Sequence, residues 1–201
     1  LVTGKQFENI KIVSTGGGAA GIACLNMLVK LGVRKENIWL CDKHGLVFAG
    51  RPIDMNSEKS AFAQNTELRS LEEVIENADM FLGLSGPNVL KPALIKKMNA
   101  KPIIFALANP SPEVMPDSAR KAAPDAIIAT GRSDFFNQVN NVLCFPFIFR
   151  GALDVEATEI NDDMQVACID AIAEIAQTTT SAEAAAAYQG LSLIHISEPT
   201  R

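Results

Sequence analysis

The sequence contains little histidine, no excess of basic residues and no long apolar run. Each of these shortages argues against a class of function. The chain has 201 residues but only two histidines, His44 and His195, which argues against a histidine-based metal site or a Ser-His-Asp triad. The formal net charge is −5, whereas general binding to nucleic acid needs a basic face that neutralises phosphates. No run of about 18 apolar residues occurs, so we predict no membrane span.

Cysteine is also sparse, and the four residues are far apart with no C-x-x-C pair: Cys24, Cys41, Cys144 and Cys168. This usage predicts reduced, mostly buried thiols in a cytoplasmic protein. The first residues, LVTGKQFENI, lack the basic and apolar regions of a signal peptide, so we predict that they are not one.

The composition that remains is globular, 48% hydrophobic and 20% charged, which is enough for one sizeable core. Short apolar runs typical of strands alternate with stretches of helical spacing. We predict strands at 9–14, 37–42, 79–85, 102–110 and 125–131. We predict helices at 19–32, 57–65, 70–78, 88–98, 111–123, 140–155 and 161–177, with a loop at 45–56. This alternation predicts the α/β class, with a Rossmann-type doubly wound parallel sheet covered on both faces.

The last residues, LSLIHISEPTR (191–201), do not continue the preceding pattern and look like the translation of a sequencing adaptor. We therefore expect residues 1–190 to form one domain and residues 191–201 to be a non-native tail. A genuine C-terminus is the alternative.

Three consecutive glycines stand between the first predicted strand and the first predicted helix, in STGGGAAGIA (14–23). Gly16, Gly18 and Gly21 have the spacing G-x-G-x-x-G, in which the glycines permit a tight turn, close approach of a pyrophosphate, and packing of helix on strand. Asp42 ends the second predicted strand about 20 residues later, where an acid accepts hydrogen bonds from an adenosine ribose. The combination predicts a dinucleotide-binding site; a purely structural glycine turn is the alternative.

The choice between NAD and NADP stays open in the sequence. Asp42 favours a free 2′-hydroxyl, but Lys43, Arg51 and Lys59 follow it, and any of these cations can meet a 2′-phosphate. The alternative for all three is a solvated charge on a loop or helix.

Other predicted strands end in small or amide residues, at the edge of the sheet where ligands bind in open α/β folds. GLSG (83–86) suits a backbone that passes beside a cofactor, and Asn109 in ANP can contact a ligand or form an Asx-type turn. In NQVNNV (137–142), we expect one asparagine to cap the next helix and another to face the ligand.

Five segments together resemble the NAD(P)-binding domain of malic enzyme, most of all the bacterial NADP-dependent type. They are GGGAAGIACLNMLVKLG, IWLCDKHGLVFAGR, FLGLSG, ALANPSPE and TGRSDFFNQVNNVLCFPFIFRGALDV, and the resemblance runs from about residue 5 to residue 190. It implies an NAD(P)-dependent oxidoreductase that decarboxylates malate to pyruvate and CO₂, with Mg²⁺ or Mn²⁺ in the intact enzyme. It also implies a homo-oligomer when the protein is intact.

The resemblance assigns roles to individual residues. Asn109 matches an asparagine that contacts nicotinamide and substrate, and Asn141 matches one that contacts the substrate carboxylate. The family's catalytic tyrosine and lysine and its acidic metal ligands are expected before residue 1, so none is assigned here. NDD at 161–163 is interpreted as a helix start with Asn161 as N-cap. The predicted cofactor-binding residues are Gly16, Gly17, Gly18, Ala19, Ala20, Gly21, Asp42, Lys43, Ser85 and Asn109.

Two other functions are compatible with the glycine loop. One is a non-catalytic dinucleotide-binding module with a regulatory role. The other is a different Rossmann enzyme, such as an amino-acid or methylenetetrahydrofolate dehydrogenase. For the malic enzyme interpretation, we expect this chain alone to bind NAD(P) weakly and to lack malic activity.

Overall fold

The central feature of the fold is a six-stranded sheet with the strand order β3-β2-β1-β4-β5-β6, seen in a computed structural model that describes residues 3–140 and 142–177. Every neighbouring pair is parallel except β2 and β3. This order, with helices between the strands, confirms the predicted α/β doubly wound architecture. The strands are β1 (Ile12–Thr15), β2 (Ile38–Asp42), β3 (Gly45–Leu46), β4 (Met80–Gly83), β5 (Ile103–Ala106) and β6 (Ile127–Thr130).

The strands are almost wholly apolar because the sheet is buried on both faces. In β1 and β4 every residue is buried. Successive side chains point to opposite faces, so Val13, Phe81 and Ile104 belong to one hydrophobic cluster. Ile12 and Leu82 belong to a second cluster with Leu25 of the first helix. The two clusters are the two sides of one α/β core.

Helices connect the strands, and several are shorter than predicted. They are α1 (Ala19–Lys30), α2 (Ser57–Ser60), α3 (Leu71–Val74), α4 (Pro92–Ile95), α5 (Pro116–Ala122), α6 (Phe145–Asp154) and α7 (Asp162–Gln177). The predictions at 88–98 and 111–123 extend too far toward the N-terminus. Prolines begin both α4 and α5, and the preceding Lys91 and Met115 are extended, as residues before proline tend to be.

The short strand β3 corrects the prediction of a loop throughout 45–56. Gly45 and Leu46 pair antiparallel with Asp42 and Cys41 after a two-residue turn. Gly45 has φ +90°, and an added Cβ would collide with the carbonyl oxygen of Arg69. A two-residue strand is too short to produce a periodic pattern in the sequence.

The chain divides into two compact units, the first ending at Val139 and the second beginning at Asn140. The described part of the second unit contains α6 and α7. Asn161 caps α7 as predicted, because its Oδ1 accepts a hydrogen bond of 3.0 Å from Met164 N. The prediction of an asparagine cap on α6 is wrong for the described residues: Cys144 occupies the N-cap, and Asn140 Oδ1 instead accepts from Val142 N.

All four cysteines are free, but only Cys41 is buried. Cys24, Cys144 and Cys168 are half-buried, so the expectation of mostly buried thiols is wrong for these three. Within 3–140 and 142–177, the helices are too short or too polar to cross a membrane. The predicted tail at 191–201 lies outside the described residues.

Candidate functional site

The turn from β1 to α1 contains two glycines that the chain's own packing requires. Gly16 has φ +106°, and a Cβ there would collide with the carbonyl oxygen of Leu84, just after β4. A Cβ on Gly21 would collide with the carbonyl oxygen of Gly16. These two glycines allow the loop to lie against β4 and the first turn of α1 to lie against the loop.

Gly18 is a glycine for which the packing gives no reason. It is the N-cap of α1, with φ −85° and ψ −176°, a conformation open to any residue. An added Cβ would meet no atom within 4 Å, and no side chain of the described residues caps the helix. The first N–H groups of α1 and its positive dipole end are thus approachable through open space, which is the arrangement that binds phosphate at helix N-termini.

Asp42, at the end of β2, is held by two buried cations. Arg51 donates to both carboxylate oxygens, at 2.9 and 2.7 Å, and Lys59 Nζ donates to Oδ2 at 2.9 Å. The backbone N–H of His44 donates to Oδ1 at 2.8 Å. The exposed fractions of the side chains are 6% for Asp42, 2% for Arg51 and 8% for Lys59. Arg51 and Lys59 are therefore not solvated charges, whereas the side chain of Lys43 is 75% exposed.

The charges of this group support one another. Burial by itself would raise the pKa of the Asp42 carboxyl, but hydrogen bonds from Arg51, Lys59 and the His44 amide outweigh it and hold that pKa below its ordinary value. The hydrogen bonds to Asp42 raise the pKa of Arg51. Burial lowers the pKa of Lys59, but its contacts with Asp42 and Asp54 reverse the direction. All three groups of the Asp42–Arg51–Lys59 cluster are charged at neutral pH.

A fully buried carboxylate joins the ends of β4 and β5. Glu113 Oε1 accepts from Ser85 N at 2.8 Å, and Oε2 accepts from Ala108 N at 3.1 Å. The Ser85 hydroxyl lies 3.3 Å from Glu113 Oε1 and 2.9 Å from Thr15 Oγ1 at the end of β1. A Cβ on Gly83 would collide with the Glu113 carboxyl, so this glycine makes room for the acid.

An open cleft of about 670 Å³ lies along the carboxyl ends of β1, β2 and β4. It brings together six of the predicted cofactor-binding residues: Gly16, Gly17, Gly18, Asp42, Lys43 and Ser85. Asp54, Asn56 and Lys59 also line it. This volume, with the glycine loop in the lining, suits a ligand whose phosphates lie near that loop.

The remaining predicted site residues do not line this cleft. Ala19, Ala20 and Gly21 form the first turn of α1 behind Gly18. Asn109 is exposed beyond the end of β5, directly after Ala108. Asn141 lies outside the described residues. Among residues 3–140 and 142–177, no group of three or more histidine, cysteine, aspartate or glutamate side chains is placed to hold a metal ion.

Comparison with known proteins gives the family. The family model described as "Malic enzyme, NAD binding domain" matches residues 1–196. The chain belongs to this family. The NAD-dependent malic enzyme of Rhizobium meliloti is 56% identical over 189 residues, covering 94% of this chain and 24% of that protein. The NADP-dependent malic enzyme of Salmonella typhimurium is 53% identical over 188 residues, covering 93% of this chain and 25% of that protein.

Solved structures of the family have the same fold. The NAD-dependent malic enzyme of Thermotoga maritima superposes with a TM-score of 0.78 at 40% identity, covering 89% of this chain and 47% of that one. The malic enzyme of Pyrococcus horikoshii gives a TM-score of 0.79 at 38% identity, covering 87% and 43% of the two chains. The chain spans about a quarter of the length of the first curated relatives it matches.

Sequence reasoning missed two features of the site. It placed Glu113 in a helix, although the residue precedes α5 and points its carboxylate under β4. It also left Arg51 and Lys59 as possible solvated charges. The one sequence signal was Gly83, which contacts the Glu113 carboxyl in the folded chain. A glycine in an apolar strand marks close approach of another group, but it does not say which residue approaches. For the pairing with Asp42, the sequence offers no comparable local signal.

Proposed function

We propose that the cleft binds a nicotinamide adenine dinucleotide, with its pyrophosphate against Gly16, Gly17 and Gly18. Gly18 is the observation that carries this proposal. Its conformation and surroundings accept a side chain, so its lack of one needs a reason outside the packing of the chain itself. A pyrophosphate that approaches the main chain and the N-terminus of α1 supplies that reason.

We infer a direction for the dinucleotide from the order of the strand ends along the sheet. The adenosine ribose lies toward Asp42 and Lys43, and the nicotinamide half lies toward Ser85 and Asn109, beyond the ends of β4 and β5. Each carboxylate oxygen of Asp42 already accepts two hydrogen bonds. A ribose hydroxyl at this carboxylate must therefore displace or share one of these donors. Lys43, which is exposed, is the cation that reaches a 2′-phosphate without breaking a buried pair.

Titration calorimetry of the 201-residue chain with NAD⁺ and NADP⁺ tests the proposal. A Gly18→Val side chain fills the space assigned to the pyrophosphate, so we expect loss of binding. The melting temperature should fall by only a few degrees, because valine is a poorer N-cap than glycine. Gly151→Val is the matched control, because Gly151 also has open space around its Cβ position but does not line the cleft. Undiminished affinity in the Gly18→Val variant would falsify the proposed placement.

We propose that the whole protein catalyses oxidative decarboxylation of malate to pyruvate and CO₂, as the names of its relatives indicate. The bound dinucleotide supplies the acceptor for the hydride that leaves the substrate. This chain's share is to bind and orient it: the glycine loop holds the phosphates, and Ser85 and Asn109 border the nicotinamide side. Asn141 is proposed to contact the substrate carboxylate.

The chain alone is proposed to lack malic activity, since it spans about a quarter of its first curated relatives. Incubation of the purified chain with malate, NAD(P)⁺ and Mn²⁺ should produce no NAD(P)H. A metal-dependent rise in NAD(P)H absorbance would overturn this.

Three further properties of the whole protein are proposed: use of Mg²⁺ or Mn²⁺ and assembly as a homo-oligomer, from the family resemblance, and a cytoplasmic location, from the cysteine usage. The described residues contain no cluster that fits the metal, so none of the roles proposed for them depends on it. Metal analysis, cell fractionation and sedimentation of the whole protein test the three in turn.

A further inference from the structure

Glu113 is a charged side chain with no exposed surface, and it lies beneath the cleft rather than in it. A carboxylate in such a place is costly unless several donors satisfy it. Its donors come from two different strand ends: Ser85 follows β4, and Ala108 follows β5. The last paired residues of these strands are Gly83 and Ala106, and one more backbone hydrogen bond follows, from Leu107 N to Gly83 O at 3.0 Å. Beyond that point, the carboxylate joins the two segments through Ser85 and Ala108.

The network extends to the strand that leads into the glycine loop. The Ser85 hydroxyl stands between Glu113 and Thr15, and Thr15 directly precedes Gly16. The carboxyl ends of β1, β4 and β5 are therefore tied to one buried acid. This arrangement requires glycine at position 83, because any side chain there would displace the carboxyl.

We propose that Glu113 is a positioning residue for the nicotinamide half of the cofactor. It holds Ser85 at the wall of the cleft and holds Ala108, and with it the adjacent Asn109, at the end of β5. The cofactor meets a preformed edge, and no loop has to be ordered on binding. This inference rests on the proposed function, and it adds a residue that touches neither cofactor nor substrate.

The isosteric variant Glu113→Gln is the sharpest test. A glutamine can accept on one side only, so its NH₂ group faces either Ser85 N or Ala108 N, and one of these part-buried donors loses its acceptor. We expect affinity for NAD⁺ and NADP⁺ to fall about tenfold. Affinity for ADP, which reaches only the glycine loop and the Asp42 side, should stay within about twofold of the unchanged chain.

The matched control is Asp79→Asn. Asp79 precedes β4 at the opposite end of the sheet, and it likewise accepts several hydrogen bonds, from Lys5, Lys11 and Asn99. Its loss should lower the melting temperature but leave the ratio of ADP to NAD(P)⁺ affinity unchanged. A shorter carboxylate, in Glu113→Asp, should not restore NAD(P)⁺ affinity, because it cannot reach both donors.

Calorimetric titrations of the 201-residue chain with ADP, NAD⁺ and NADP⁺ give the readout. Selective loss of dinucleotide affinity in Glu113→Gln supports the inference; equal loss for ADP, or no loss at all, overturns it. If Glu113→Gln does not fold, Glu113→Asp, which also leaves the lining of the cleft unchanged, is judged by the same comparison. Failure of the unchanged chain to bind any of the three ligands refutes the proposed function, and the positioning role with it.

Discussion

At the scale of single residues, two glycines of the same G-x-G-x-x-G motif have opposite reasons for being glycine. Gly21 has no room for a Cβ, because the carbonyl oxygen of Gly16 occupies the place, whereas Gly18 has open space. We expect Gly21→Ala to lower the free energy of unfolding by about 1–3 kcal/mol, the usual cost of overpacking. Gly18→Ala should lower it by less than about 1 kcal/mol, because its only cost is that alanine is a poorer N-cap than glycine.

Urea unfolding of both variants measures this contrast. Equal destabilisation by the two substitutions would contradict the assignment of Gly21 to packing and of Gly18 to a ligand.

The Asp42–Arg51–Lys59 cluster makes the free energy of unfolding fall at acid pH. The pKa of Asp42 is lowered on folding from its ordinary value of 3.8, so the folded state binds this proton less readily than the unfolded state does. Its contribution is therefore complete above pH 3.8 and is lost as the pH falls toward the depressed value. Asp42→Asn should remove this part of the pH dependence.

Unfolding free energies between about pH 5 and pH 2 test the point. The curve of the unchanged chain should fall more steeply than that of Asp42→Asn, since every other carboxyl is common to both. At neutral pH the variant should be less stable by about 3 kcal/mol, because Arg51 loses its buried carboxylate partner and Lys59 keeps only Asp54. Parallel curves would count against the pairing.

At the scale of elements, strands and helices with a periodic apolar pattern can be predicted from the sequence. Features that depend on contacts between distant residues cannot. The apolar runs of β1 and β4 and the periodic pattern of α1 are visible, because each residue of the pattern lies against the core. The start of α5 depends on Pro116, and the buried position of Glu113 depends on Gly83, which is distant in the chain. No local pattern joins the last two residues.

At the same scale, the N-cap of α7 allows a prediction of how much one side chain stabilises a helix. Asn161 Oδ1 accepts a hydrogen bond from Met164 N. This N–H group is in the first turn of the helix, where no backbone carbonyl of the helix is available to accept it. Asn161→Ala should destabilise the helix by about 1 kcal/mol, and Asn161→Asp should retain the cap. Hydrogen exchange at Met164 should accelerate in the alanine variant only; unchanged exchange there would exclude a capping role.

At the scale of the whole molecule, strand order decides how much of the site can be predicted. Gly18, Asp42 and Ser85 follow three different strands, and they meet because the carboxyl ends of parallel strands share one edge. That rule was enough to predict this part of the cleft. It could not predict the burial of Arg51 and Lys59, which depends on how the chain returns to Asp42 after β3.

A ligand that binds only the folded chain must stabilise it. Binding in the cleft therefore raises the melting temperature of the fold as a whole. At a free concentration a hundredfold above Kd, the gain is about 2.7 kcal/mol, which raises the melting temperature by several degrees. We expect this shift with NAD⁺ or NADP⁺ in the unchanged chain and in Gly151→Val, and none in Gly18→Val. Since the added Cβ at position 18 contacts nothing in the protein, a variant that still unfolds cooperatively but shows no shift with the dinucleotide isolates the phosphate contact. A full shift in Gly18→Val would place the dinucleotide elsewhere on the chain.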